Sequence, residues 1–387
     1  MISRRDFLKD VSLAALAAGA ASPLSWAASE QGVVVPGKEG MIVRSFRFLD
    51  LEMPDSAFDS WLTPLPHFFV RNHMHMPSTL EVEEYRLSVG GAVERTLNLR
   101  LAELKALPQH TVVNTLECAG NGRGLQRPRV PGVQWEKGAV GTARFHGPRL
   151  KDVLEKAGVK SSGKHVLFRG RDEVPGKVPP FLRSIPIEKA MHPDTLLATH
   201  MNGTPLPKYH GRPLRALVPG WIGAASIKWL AEITVLDKEF DGNFMKPGYR
   251  MPRSPVAPGG EVKPEDTDPV TALRVKSVIA SPQDGAKTRL GPVKLSGAAW
   301  AGAADIVRVE ISADSGATWH AAELATEKAR YAWRLWRYMW KPAKAGDYVL
   351  MARATDSQGH TQPVTPDWNP SGYLYNAVDQ VRIHVES

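Results

Sequence analysis

Thr115-Leu116-Glu117-Cys118-Ala119-Gly120-Asn121-Gly122-Arg123-Gly124 carries the one cysteine of the chain. Residues 111–116 just before it are β-branched or apolar in the main, which predicts a buried strand. Ala119-Gly120-Asn121-Gly122 breaks that strand, so the Cys118 thiol stands at a strand end. There the backbone turns, and glycine lets a ligand approach closely. Three readings of the thiol stay open on this stretch alone: a small inert hydrophobe, a nucleophile, or a metal ligand.

The wider chain narrows the function. A length of 387 residues with 43% hydrophobic content suffices for a large core and about two domains. The formal net charge of +9 is mild for that length, and no dense Lys/Arg block occurs. Nucleic-acid binding is therefore excluded as a first reading. A positive surface suits a small anionic substrate or an acidic protein partner. The eleven tryptophans are expected as core and interface anchors.

The N-terminus reads as an address. Arg4-Arg5 with Phe7-Leu8-Lys9 precedes an apolar run from Val11 to Ala21. Small residues then lead to a cut after Ala27. The run is too short to span a membrane, and the layout is that of a secretory signal. The arginine pair resembles the twin-arginine signal, which exports folded proteins, often with a cofactor already inserted. The expected location is the periplasm. A single cysteine in an oxidising compartment can form no internal disulfide, and export in folded form favours the metal-ligand reading.

Further along, residues 28–66 show little periodicity and several prolines, and read as an extended arm over the core. Phe68-Phe69-Val70 reads as an apolar strand, with Arg71-Asn72-His73-Met74-His75 at its end. Near an anionic cofactor, Arg71 and His73 supply charge-assisted donors. Helices are expected over 101–107 and 150–157, the second stopped by Gly158. Strands are expected near 85–91, 165–168, 216–218 and 233–236. Pro219 to Trp229 is a glycine-rich loop with Ser226 and Lys228, a type that can hold a phosphate. No Walker loop or G-x-G-x-x-G is present. Residues 251–269 read as a Pro-rich interdomain linker. Beyond it, short alternating strands with turns such as Asp314-Ser315-Gly316 predict a β-sandwich of about 110 residues, with no chemical constellation of its own.

These segments together resemble the sulfite oxidase family of molybdenum enzymes. Thr-Leu-Glu-Cys-Ala-Gly-Asn-Gly-Arg at 115–123 is similar to that family's metal-ligand motif. Val70-Arg71-Asn72-His73, Asp172, His210-Gly211-Arg212-Pro213-Leu214-Arg215 and Gly223 to Trp229 resemble its pterin-binding segments, in the same order. The resemblance covers nearly all of residues 60–387. It implies an α+β chain: a twin-arginine signal peptide (1–27), a mixed α/β molybdopterin-binding domain (28–265) and an immunoglobulin-like β-sandwich for dimerisation (266–387). It implies a molybdenum–molybdopterin cofactor with Cys118 as the protein's thiolate ligand. Arg71, Asn72, His73, Asp172, His210, Arg215, Ser226, Ile227 and Lys228 would hold the pterin and its phosphate. Arg71 and Arg123 would face the substrate, Trp135 would line the pocket, and Tyr249 would be the active-site tyrosine. The implied reaction is oxidation of sulfite, or a related sulfur oxyanion, to sulfate by oxygen-atom transfer.

Three departures refine this expectation. The chain has no Cys-x-x-Cys-His, so it carries no covalent c-type haem, and residues before 60 leave no room for a cytochrome b5-like domain. Electrons are therefore expected to pass to a separate periplasmic c-type cytochrome. Trp368-Asn369-Pro370-Ser371-Gly372 has serine where animal and plant members usually carry a substrate arginine, and Gly122 replaces a second arginine after the asparagine. The nearest rival is the sulfane-sulfur dehydrogenase subunit of a thiosulfate-oxidising complex. A nitrate or methionine-sulfoxide reductase and a non-enzymatic binding module stand further off.

Overall fold

The computed structural model describes residues 34–79 and 82–387. The expected signal segment at 1–27 lies outside the described residues. Described residues 34–40 belong to one unit and residues 41–387 to another. In the first, the described residues make a turn in which Lys38 N–H donates to the Val35 carbonyl at 2.8 Å.

The Cys-bearing strand runs Gln109–Glu117 and grows more buried toward its end, with residues 114–117 all inside. It pairs antiparallel with Val140–Pro148, placing Glu117 opposite Val140 and Leu116 opposite Gly141. His200–Met201 and Thr204–Pro205 extend this into a four-stranded sheet. A second, five-stranded sheet orders Leu97–Arg100, Arg86–Gly91, Leu230–Leu236, His165–Gly170 and Leu182–Pro186. Its single parallel pair joins Arg86–Gly91 to Leu230–Leu236. Helix Leu150–Ala157 buries Leu150, Val153, Leu154 and Ala157, the apolar stripe expected at a 3.6-residue period. Gly158 ends it in the left-handed region at φ 71°, donating to the Leu154 and Glu155 carbonyls.

The C-terminal part is the expected immunoglobulin-like β-sandwich. One sheet orders Lys276–Ser281, Val293–Trp300, Arg334–Trp340 and Glu323–Leu324; the other is five-stranded around Gly346–Asp356. Alternate residues such as Leu295, Val309, Trp336, Leu350 and Val381 close the core between them.

Three expectations are corrected. Residues 41–66 are not an arm over the core but part of it. Strand Asp50–Glu52 and residues Met53 and Phe58 are fully buried, and the Phe58 ring sits 6.3 Å from Trp300 and 5.6 Å from Trp333. Thus a segment with no periodicity of its own is ordered by partners more than 200 residues away. The 251–269 stretch is also more than a linker, because its ends, Arg250–Pro252 and Thr267–Pro269, pair as antiparallel strands. The apolar strand expected at 68–70 reduces to a single bridge between Val70 and Leu51. Among the described residues no helix is long and apolar enough to cross a membrane.

The N-terminal segment locks onto the Cys-bearing sheet at Gly138. Its N–H donates to Glu52 Oε1 at 2.7 Å, its carbonyl accepts Met53 N–H at 3.0 Å, and a Cβ there would run into the Met53 carbonyl oxygen. Gly138→Ala is therefore expected to cost about 1–3 kcal/mol by overpacking, read as a lower midpoint in a denaturant melt with an unchanged slope.

Candidate active site

The Cys118 turn opens onto a cavity. Its wall is assembled from segments far apart in the chain. Phe68 to His73 form one side, with Leu116 and Cys118 beneath them. Asp172, Phe181, His210, Arg215, Ser226, Ile227, Lys228 and Tyr249 close the rest. Eleven residues singled out in the sequence therefore meet at one place: Arg71, Asn72, His73, Cys118, Asp172, His210, Arg215, Ser226, Ile227, Lys228 and Tyr249.

Positive charge dominates this wall. Arg215 is 4% exposed and bonds only backbone carbonyls, those of Ser226 at 2.9 Å, His210 at 3.2 Å and Ala216 at 3.4 Å. Lys228 Nζ donates to Asn72 Oδ1 and to the Tyr209 carbonyl. Among the described residues neither cation bonds a carboxylate. Burial brings Arg215 down to about 9, and burial, then the nearby Arg215, pushes Lys228 well below the usual lysine range. Burial lifts Asp172 to about 6 against the pull of Lys228. A buried Arg215 and a part-buried Lys228, neither bonded to a carboxylate among the described residues, leave unmet demand for an anion. A phosphate-bearing cofactor meets it with charge-assisted hydrogen bonds.

Asp50 orders the other side of the cavity. Its carboxylate holds Arg71 at 3.1 Å and accepts Asn72 N–H at 3.3 Å. The Asn72 side chain donates to the Phe48 carbonyl at 2.7 Å, which aims Asn72 Oδ1 at Lys228. Burial raises the Asp50 carboxyl, with Arg71 opposing.

Cys118 is 9% exposed. Its N–H donates to the Ala139 carbonyl at 2.9 Å and its own carbonyl accepts Asn121 N–H at 2.9 Å. Burial raises the thiol, opposed first by Arg71 and then by Arg123. Among the described residues no group of three or more His, Cys, Asp or Glu side chains could cage a metal ion. A metal at Cys118 would take its remaining ligands from a bound group, and a soft thiolate suits such a metal. Across the cavity, the Tyr249 hydroxyl lies 2.5 Å from His73 Nε2. The His73 ring stacks on Phe181 at 3.7 Å, and burial, then Arg71, pushes it well below the usual histidine range, so it is neutral. Tyr249 itself sits at φ 56°, and Trp229, next to Lys228, at φ 49°. Bulky side chains rarely adopt this left-handed backbone, and such residues cluster at functional sites.

Arg123 and Trp135 are not among the residues lining the cavity. Arg123 donates to the carbonyls of Ser371 at 2.8 Å and Val133 at 3.0 Å, with its guanidinium 5.4 Å from the Tyr373 ring. Trp135 is fully buried beside Phe68, Phe69 and Cys118, and among the described residues its Nε1 has no hydrogen-bond partner. Sequence reasoning missed Asp50, Phe181, Arg183 and Tyr373. Tyr373 stacks on Tyr249 at 5.3 Å, and the buried Arg183 guanidinium lies 4.7 Å from the same ring. Tyr373 brings one ring of the sandwich region against the cavity-lining Tyr249.

Residues 73–244 match the oxidoreductase molybdopterin binding domain family, and residues 267–386 the Mo-co oxidoreductase dimerisation domain family. The chain is 39% identical over 359 residues to sulfite oxidase of Gallus gallus, covering 88% of this chain and 77% of that protein. It is 38% identical over 347 residues to mitochondrial sulfite oxidase of Rattus norvegicus, covering 86% of this chain and 63% of the rat protein, so it spans less than two thirds of that relative's length. A solved structure, the sulfane dehydrogenase SoxCD from Paracoccus pantotrophus, superposes with a TM-score of 0.78 at 27% identity, covering 93% of this chain and 92% of that one.

The position of Asp172 predicts a pH effect on the cofactor-free protein. Its carboxyl titrates at about 6 when folded and near 3.9 when unfolded. The folded state therefore holds the proton more tightly. The stability this confers is complete below about pH 4 and is lost as pH rises through about 6. Asp172→Asn is expected to be more stable than the parent at pH 7.5 by about 2 kcal/mol, with the difference closing at pH 4. Urea melts at both pH values measure it.

Proposed function

Because the chain belongs to the sulfite oxidase family of molybdenum enzymes, we propose that it oxidises sulfite to sulfate by oxygen-atom transfer in the periplasm. The electrons would pass to a separate c-type cytochrome. The observation that carries this reading is the single buried thiol facing a cavity walled by Arg71, Arg215 and Lys228. The molybdopterin cofactor, when bound, supplies the oxygen-atom transfer and takes up the two electrons.

The chain's own residues bind, orient and shield. Cys118 is the one thiolate the protein offers the metal. Arg215 and Lys228 would hold the cofactor's anionic end, and Ser226 is fixed beside them because its Oγ accepts Val218 N–H at 3.0 Å. Asp172 and His210 border the same end of the cavity. Asn72 holds Lys228 toward it. Arg71, anchored by Asp50, would bind and orient the oxygens of a small sulfur dianion in the cavity beside Cys118. His73 Nε2 and the Tyr249 hydroxyl share a hydrogen bond, which fixes the phenol at the cavity wall. Arg123 adds positive potential at Cys118 from outside the cavity wall. Trp135 backs Cys118 with a dry surface that excludes water. The C-terminal sandwich supports a homodimer, as its family match suggests.

The SoxCD likeness favours one second reading, a sulfane-sulfur dehydrogenase subunit acting on sulfur carried by a partner protein. Ser371 at the position of the family's third arginine suits a substrate with less anionic charge.

Purified protein is expected to hold about one molybdenum per chain and to reduce cytochrome c when given sulfite, and Cys118→Ser should bring that turnover to background while leaving the melt near the parent's. Turnover only with a sulfane-loaded carrier protein would select the second reading, and a folded chain without molybdenum would refute both. Replacing Arg4 and Arg5 by lysine should hold the protein in the cytoplasm, scored by cell fractionation; unchanged periplasmic delivery would remove the twin-arginine assignment.

A further inference from the structure

The turn that carries Cys118 is tied down from the C-terminal sandwich, at both of its ends. Lys276 opens the first sandwich strand, Lys276–Ser281, and is 5% exposed. Its Nζ lies 3.3 Å from Glu117 Oε1, just before the cysteine, and 3.4 Å from the Asn121 carbonyl, just after it. The other Glu117 oxygen accepts the Trp300 indole N–H at 2.9 Å, from the neighbouring strand Val293–Trp300. Asn121 closes the ring. Its amide donates to Glu117 Oε1 at 2.8 Å, and its Oδ1 accepts Ala139 N–H at 3.0 Å. The Ala139 carbonyl in turn accepts Cys118 N–H. Leu374 N–H adds a third tie from the sandwich, to the Ala119 carbonyl at 2.8 Å.

Net stability does not explain this arrangement. A buried ion pair repays little of its desolvation, and apolar residues of equal volume would hold the two parts together at least as well. What the pair supplies is direction. One ammonium grips a carboxylate and a carbonyl that bracket the thiol, and the indole N–H fixes the carboxylate's rotation. We propose that Lys276 and Trp300 are positioning residues for the thiol, so that the sandwich, beyond any role in dimerisation, aims Cys118 Sγ into the cavity. The metal-facing part of this proposal rests on the molybdenum reading above.

The test uses the full chain with Lys276→Gln, Glu117→Gln, the two combined, and the milder Trp300→Phe. In the cofactor-free proteins, the rate at which iodoacetamide alkylates the single thiol reads the turn directly. Each single variant at 117 or 276 leaves a buried charge unpaired, so that rate is expected to rise about tenfold as the turn opens locally. The melting midpoint should fall by roughly 5–10 °C, and both effects should be largely reversed in the double variant. In the holoenzyme, the thiolate-to-metal charge-transfer absorption is expected to shift or broaden in Lys276→Gln and Trp300→Phe at full molybdenum content. A lowered melt with an unchanged alkylation rate and an unchanged absorption band would reduce Lys276 to a packing role and overturn the proposal. A parent protein without molybdenum whose alkylation rate still responds to Lys276→Gln would overturn the functional reading and leave the positioning of the thiol standing.

Discussion

An excess of buried positive charge is the constraint around which this protein is arranged. Arg215 is buried and Lys228 partly so, and among the described residues neither bonds a carboxylate, while Arg71 shares Asp50 with the Asn72 backbone. Desolvation on this scale is unfavourable unless an anion joins the site. The fold tolerates it by giving each cation backbone carbonyls and amide oxygens as partners. Burial raises the Cys118 thiol, and Arg71 and then Arg123 oppose that rise.

Holding such a site open requires stiffness from outside it. Each wall is braced by a segment remote in sequence. Asp50 and Phe48 fix Arg71 and Asn72, while Ser371 and Val133 carbonyls fix Arg123. Lys276 and Trp300 fix the turn around Cys118. Phe58 sits between Trp300 and Trp333, so the N-terminal segment, the cysteine-bearing sheet and the sandwich share one apolar cluster. The β-sandwich is thus part of the site's framework, and the Tyr373 ring on Tyr249 carries that framework to the cavity wall.

Most of the candidate site was legible because its chemistry is local in sequence. A thiol followed by a glycine turn, an Arg-Asn-His run, and a Ser-Ile-Lys end to a glycine-rich loop are short patterns with their own physical logic. The helix over residues 150–157 and the alternating sandwich strands were legible for a similar reason, since period and turn residues lie within a few positions of each other. Asp50 was not legible: it lies in an aperiodic, Pro-containing stretch, and nothing near it marks it as the partner of Arg71. Arg183 and Tyr373 were hidden in ordinary strand and loop sequence. Trp135, expected in the pocket wall, packs behind Cys118 because its large apolar ring gains more from full burial.

The amino-acid sequence by itself determined the kind of chemistry available here: one soft thiol, a set of cations suited to an anionic cofactor, and an all-β C-terminal part. These depend on residue type and short spacing. The tertiary structure alone decided which charges meet, which stay unpaired, and which carboxylate answers which cation. Lys276 reaches Glu117 across 159 positions of chain, and Asp50 reaches Arg71 across 21. Direction and burial of a side chain come from how sheets pack, and no local pattern encodes them.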